Sequence, residues 1–117
     1  MIPEGFYGTE VLSINCTAAL SNITVLFTVQ KTVNATFAKQ YNSFVPSFDQ
    51  SHEETSSQIF YMWLSPSAQT YITHTYDHYT EAQFQLQGIN QTVTNDTYSI
   101  SAEIACNGQV INATGYF

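Results

Sequence analysis

Thr97-Tyr98-Ser99-Ile100-Ser101-Ala102-Glu103-Ile104-Ala105-Cys106-Asn107-Gly108-Gln109-Val110-Ile111-Asn112-Ala113-Thr114-Gly115-Tyr116-Phe117 is the stretch whose reading decides the fold. Tyr98, Ile100, Ala102, Ile104 and Cys106 alternate with Thr97, Ser99, Ser101 and Glu103. A period of two is the repeat of a strand with one face in a core and the other in water. Asn107-Gly108 then supplies the dipeptide that a two-residue type I′ turn favours, because both of its central positions need positive φ. A hairpin closed there pairs residues whose numbers sum to 215. Ile104 would face Ile111, Ala102 would face Ala113, Ile100 would face Gly115 and Tyr98 would face Phe117 on the inner side, with Glu103 opposite Asn112 outside.

The same period recurs toward the N-terminus. Leu12, Ile14, Cys16, Ala18 and Leu20 share one face, while Ser13, Asn15 and Thr17 share the other. Ile23, Val25, Phe27 and Val29 then point inward, with Thr24, Thr28 and Gln30 outward. Gln58-Ile59-Phe60-Tyr61-Met62-Trp63-Leu64 is apolar on both faces and predicts a central strand covered on both sides. Phe84 and Leu86 alternate with Gln83, Gln85 and Gln87. Residues 40 to 58, with Pro46 and the polar run from Asp49 to Glu54, read as a long loop or a loop with one short edge strand. No segment carries a 3.6-residue apolar stripe of helix length. The expected fold is therefore all-β: a single-domain β-sandwich of seven or eight strands, immunoglobulin-like in the loose sense, over residues 10–117. Residues 1–9 precede it as an extended N-terminal segment. Trp63 lies 47 residues after Cys16, so the strict immunoglobulin spacing is absent and the strand order stays open.

Length and charge narrow the class. A chain of 117 residues supports one core. Only 9 % of the residues are charged, against roughly 25 % in an ordinary soluble domain. Lys31 and Lys39 are the sole basic residues, and the net charge is -7. That balance lacks the cationic footprint which nucleic acid or an anionic lipid surface requires. In strongly acidic water carboxylates lose their charge and ion pairs fail, so a surface of hydroxyls, amides and sugar suits an acid environment; an ordinary secreted protein with an unusual surface is the alternative. No apolar run reaches 18 residues, so no spanning helix is predicted. With no charged-then-apolar leader before Pro3, the chain reads as a mature product whose export signal is gone.

Six Asn-X-Thr sequons begin at Asn15, Asn22, Asn34, Asn90, Asn95 and Asn112. The chain has eight asparagines and 26 Ser or Thr residues, so chance would give about two such triplets. The excess predicts N-glycosylation and an extracellular or cell-surface location. Parity turns Asn15, Asn22, Asn34 and Asn112 outward, as acceptors must be. Cys16 and Cys106 are an even pair in an exported chain and predict one disulfide. Closing about 90 residues would contribute roughly 4–5 kcal/mol.

Candidate chemistry is sparse. His74 and His78, with Asp77 between them, are four apart, which on a strand means about 13 Å and no shared metal ion. His52 near Asp49 or Glu53 has no nucleophile elbow to complete a triad. Glu53 and Glu54 are neighbours whose side chains diverge, unlike a glycosidase pair. Lys31 or Lys39 joined to an Asn side chain would make an isopeptide link, against the simpler reading of solvated lysines. No enzyme activity, cofactor or metal is expected. The sequon-free stretch from Phe37 to Ile89 is rich in aromatics, and holds either a protein-binding face or the central core strands. The lead Met1-Ile2-Pro3-Glu4-Gly5-Phe6-Tyr7-Gly8 is either a frayed terminus or a donor strand, with Ile2, Phe6 and Tyr7 seated in a neighbour's open sheet. Head-to-tail contacts of that kind propagate into a fibre.

The six Asn-X-Thr sites, the charge-poor Thr/Ser/Gln/Asn/Tyr makeup, the extended lead from Ile2 to Gly8 and the strand running to Tyr116-Phe117 together resemble the glycoprotein subunits of archaeal surface filaments. The likeness is to the donor-strand-linked thread filaments of thermoacidophiles, in style across the whole chain rather than in one motif. It implies a Sec-exported structural subunit whose partners are identical copies, with a role in adhesion or biofilm cohesion. Type IV-like pilins match less well, because their long apolar N-terminal helix is absent. Asn107-Gly108 and the scarcity of ion pairs run against a hot environment. The other reading is a secreted or cell-surface immunoglobulin-like recognition domain, such as a viral or eukaryotic ectodomain.

Overall fold

The computed structural model describes residues 7–31, 35–73, 78–85 and 96–117. Eight strands follow one another: β1 (Tyr7–Ser13), β2 (Leu20–Gln30), β3 (Thr36–Asn42), β4 (Asp49–Glu54), β5 (Gln58–Leu64), β6 (Tyr79–Gln85), β7 (Thr97–Ile104) and β8 (Val110–Tyr116). They form two antiparallel sheets, a three-stranded one in the order β1-β6-β3 and a five-stranded one in the order β4-β5-β2-β7-β8. The chain is an all-β sandwich.

The inner faces are those that alternation picks out. Val25, Phe27 and Val29 on β2 and Ile59, Tyr61 and Trp63 on β5 are fully buried. The two strands pair with Val25 opposite Trp63 and Phe27 opposite Tyr61. Phe27 and Trp63 meet edge to face with ring centroids 4.7 Å apart, a geometry the ring quadrupoles favour. The polar tips of the buried aromatics are satisfied across the sandwich: Tyr61 Oη donates to the Gln83 carbonyl at 2.6 Å, and Trp63 Nε1 to the Tyr41 carbonyl at 3.1 Å.

A change of parity in the sequence has a local cause. Leu20 and Ile23 both face inward, although three residues apart on one strand should put them on opposite faces. Between them β2 is bulged: Ser21 pairs with Glu103 and Thr24 with Ser101, two residues of β2 standing against one of β7. Asn22 takes the left-handed conformation there, with φ 48°, which asparagine tolerates better than most residues. The bulge lets one strand serve two hydrophobic registers.

Several expectations are corrected. The strand predicted through Leu20 ends at Ser13. Beyond it the chain crosses from one sheet to the other, so Ile14 is buried without belonging to a ladder. Its N–H still bonds the His78 carbonyl at 2.8 Å. The β7–β8 hairpin pairs Ala102 with Ile111 and Ile100 with Ala113, so its residue numbers sum to 213 rather than 215. The turn is longer because the Asn107 side chain accepts the Gln109 N–H at 2.8 Å and Ala105 N–H is bonded to the Ala19 carbonyl at 2.9 Å. A shift of two preserves the facing of every side chain. It sets Gly115 under the Tyr98 ring, where an added Cβ would come within 2.7 Å of the phenol oxygen. Phe117 stands opposite Asp96 instead of Tyr98, its N–H bonded to the Asp96 carbonyl at 3.0 Å, and its ring packs on Phe27 and Tyr98 at 4.7 and 5.4 Å.

The disulfide is not formed: Cys16 is half-buried, Cys106 is exposed, and both thiols are free. The ladder that joins Leu20 to Ile104 brings Cys106 level with Ala18, not Cys16. Cys16 instead turns toward Thr73, whose Oγ1 accepts its N–H at 2.7 Å. The extended lead is shorter than predicted, since Tyr7, Gly8 and Thr9 are already part of β1, paired with Gln85, Phe84 and Gln83. Ile2 and Phe6 lie outside the described residues. Among the described residues β5 is covered on one face. Phe60 and Met62, on its other face, are half-buried and Leu64 is exposed, because the smaller sheet packs against the inner face.

Candidate functional site

Three strands cannot cover five, and the shortfall falls on one side. β3 sits over β4 and β5, where Gln40 Nε2 donates to the Ser51 and Met62 carbonyls at 2.8 and 2.9 Å. The Phe37 N–H is bonded to Glu54 Oε1 at 2.9 Å. β6 sits over β5 through the Tyr61–Gln83 bond. β1 is the last strand of its sheet, paired on one side with β6 and, among the described residues, with nothing on the other. No strand faces β8.

The inner sides of β7 and β8 contribute to an apolar groove of about 300 Å³, which Leu12 and Ser13 of β1 also line. Leu12, Ile14, Leu20, Ile100, Ala102 and Ile111 supply its apolar lining. Leu12 comes from β1 of the smaller sheet, Leu20, Ile100, Ala102 and Ile111 from strands of the larger one, and Ile14 from the crossing between them. Tyr98 also lines it, and its ring lies 5.4 Å from that of Phe117. Asn15 and Asn112 also border it, and both are exposed.

The other predicted residues distribute as follows. Asn22 is exposed at the bulge, and its Nδ2 donates to Glu103 Oε2 at 2.9 Å. Asn34, Asn90 and Asn95 lie outside the described residues, as do His74 and Asp77. His78 is buried against the Phe44 ring, 5.1 Å between centroids. His52 lies on β4 and stacks on Phe37 at 3.6 Å with the rings nearly parallel. Lys31 is paired with Glu54 at 3.0 Å. Burial works against ionising Glu54, but the Phe37 N–H and the Lys31 ammonium outweigh it and hold the carboxyl below its ordinary range. The described residues contain no group of three metal-ligating side chains, and no described helix is long and apolar enough to cross a membrane. Of the aromatics in the sequon-free stretch, Phe44, Phe48, Tyr61, Trp63 and Tyr71 are buried, so that stretch is chiefly core.

Two buried carboxyl groups have no counterpart among the residues singled out from the sequence. Glu10 on β1 is 3 % exposed and Asp96, just before β7, is fully buried. Asp96 Oδ1 accepts the Gln30 N–H at 2.7 Å, and its backbone carbonyl accepts the Phe117 N–H at 3.0 Å. Both oxygens of Glu10 and Oδ2 of Asp96 receive no donor. Burial, then hydrogen bonding to Asp96 and its charge, push the Glu10 carboxyl up to about 10. Burial, with Glu10 next in order, raises the Tyr61 phenol as well. A signal existed, because Glu10 has the inward parity of Leu12 and Ile14.

Comparison of the chain with protein-family models, curated proteins and solved structures finds no match.

Proposed function

We propose that this protein is the structural subunit of an extracellular filament, in which the N-terminal segment of one copy completes the sandwich of the next. The supporting observation is the apolar groove beside the unpaired edge of β1. An inserted strand there gains main-chain bonds from β1 and buries its alternate side chains against Ile100, Ala102 and Ile111. Residues 1–6 offer Ile2 and Phe6 at one parity. Insertion into another copy does not close on itself, so it propagates. In this reading identical subunits join head to tail, N-glycans at the exposed acceptors coat the fibre, and adhesion or cohesion between cells is its role. No catalytic step, cofactor, nucleic acid or membrane enters it.

A second reading, a secreted or cell-surface recognition domain, is favoured by the half-buried Leu26, Phe60 and Met62 on the outer face of the larger sheet, beside His52. Electron microscopy of the full chain separates the two: fibres support the first, a discrete monomer or dimer the second. Removing residues 1–6 should abolish fibres while the circular dichroism of the sandwich persists. Fibre growth from the truncated chain would overturn the donor assignment.

A further inference from the structure

Glu10 and Asp96 belong to opposite layers. Glu10 stands on β1 opposite Ala82 of β6. Asp96 is fixed by the end of β2 through Gln30 and by Phe117 after β8. Two carboxylates facing one another in a closed interior repel, and each loses its hydration. Among the described residues no cation compensates them. The chain has no arginine and two lysines; Lys31 is held by Glu54, and Lys39 is exposed. The other titratable groups around the pair do not help. Tyr61 from β5 is a phenol, Glu54 from β4 is itself an acid, and Glu81 of β6 sits next to Ala82, on the strand's other face. Three carboxyl oxygens without a donor are therefore matched by one missing particle, a hydrogen. With it, Glu10 donates to Asp96 Oδ2 while Oδ1 keeps its bond from Gln30. A metal ion is a poorer fit, since calcium takes roughly six to eight oxygens and no third metal-ligating side chain stands with these two among the described residues.

We infer that Glu10 and Asp96 share one proton in the folded protein, so that the joint between the two sheets is a proton-binding site which is filled on folding and emptied to solvent on unfolding. The inference does not depend on filament formation. Its sign follows from linkage. The folded carboxyl titrates above the unfolded one, so stability is fullest below about 4.5 and declines as pH climbs toward about 10. Acid strengthens this joint, the reverse of an ordinary salt bridge.

Thermal melts of the full chain between pH 4 and 9 test it, using wild type, Glu10→Gln and, as a control, Glu53→Gln on the exposed strand β4. Glutamine keeps the shape of Glu10 and donates to Asp96 at every pH. The wild-type melting temperature should fall between pH 5 and 8 by roughly 10 °C or more beyond the fall in Glu10→Gln. The control should follow wild type. Parallel curves for wild type and Glu10→Gln would overturn the inference. If Glu10→Gln does not fold, infrared spectra of the wild type at pH 7 decide: the carbonyl band of a buried protonated acid is expected, and its absence refutes the shared proton. A rise in melting temperature with millimolar calcium at pH 8, absent from Glu10→Gln, would assign the site to a cation instead.

Discussion

The two side seams of the sandwich are built on opposite principles. Where β3 meets β4 and β5, polar side chains cross from layer to layer: Gln40 reaches two carbonyls, Glu54 takes the Phe37 N–H and the Lys31 ammonium, and His52 stacks on Phe37. Asn42 adds a clasp, its Oδ1 accepting the N–H groups of Phe44 and Phe48 at 3.2 Å each and its Nδ2 donating to Gln50 at 2.7 Å. On the side of β1, β7 and β8, Leu12, Ile14, Ile100, Ala102 and Ile111 line a groove bordered by Asn15 and Asn112, and the buried Glu10 and Asp96 carry carboxyl oxygens without a donor. The lesson is that the molecule's incompleteness is local. Between β2, β5 and β6 the buried Tyr61 and Trp63 tips find carbonyl partners while Thr80 Oγ1 has none, and the margin at β7 and β8 turns apolar side chains toward the groove.

The sharpest way to break the contrast is at the closed seam. Trp63→Ala should cost about 3–5 kcal/mol, because Trp63 is fully buried against Phe27 and Tyr61. Urea unfolding measures it, and a loss below 1 kcal/mol would mean that this side is as loose as the other. On the open side Gly115→Ala should cost about 1–3 kcal/mol by driving a methyl into the Tyr98 ring. The Tyr98→Ala background should recover most of that loss if the ring is the obstacle. Ile111→Ala is expected to cost only about 1 kcal/mol, since Ile111 is half-exposed at the groove. Its effect on fibre yield, read by sedimentation, should exceed its effect on stability. Equal effects on both would disconnect the groove from assembly. Lys31→Met should cost less than about 1 kcal/mol near pH 7. The depressed Glu54 carboxyl makes that difference present above its unfolded range near pH 4.5 and lost as pH falls through the folded value. Melts at pH 3 and pH 7 give the comparison, and a difference that grows in acid would contradict the pairing.

Much of this architecture was readable in alternation, and what was not has identifiable physical sources. Periodicity reports which face of a residue is buried, so β2, β6 and the inward sides of β7 and β8 emerge from the sequence alone. It does not report ladder partners, which depend on where loops cross between layers. The stretch from Ile14 to Leu20 keeps its alternation while leaving the sheet, and so it read as a strand. The hairpin kept its facing and lost its register, because the side chain of Asn107 made a local bond that the dipeptide preference does not include. The disulfide failed for the same kind of reason: count and compartment suggest a pair, while the ladder at Leu20 and Ile104 sets the two thiols apart. Of the groove, the wall residues were legible and the opening was not, since an empty place in a strand order leaves no mark on composition. Glu10 was legible in principle by parity, but a charged residue at the end of a polar lead reads as solvated.

Phe117 anchors the outermost strand of the larger sheet. Among the described residues β8 pairs with β7 alone, yet the Phe117 ring just past it lies edge to face on Phe27 and Tyr98, and the Phe117 N–H is bonded to the Asp96 carbonyl at 3.0 Å. A margin pinned at one end by a core ring loosens first at its other end, so amide exchange along β8 should be fastest beside the turn and slowest near Tyr116.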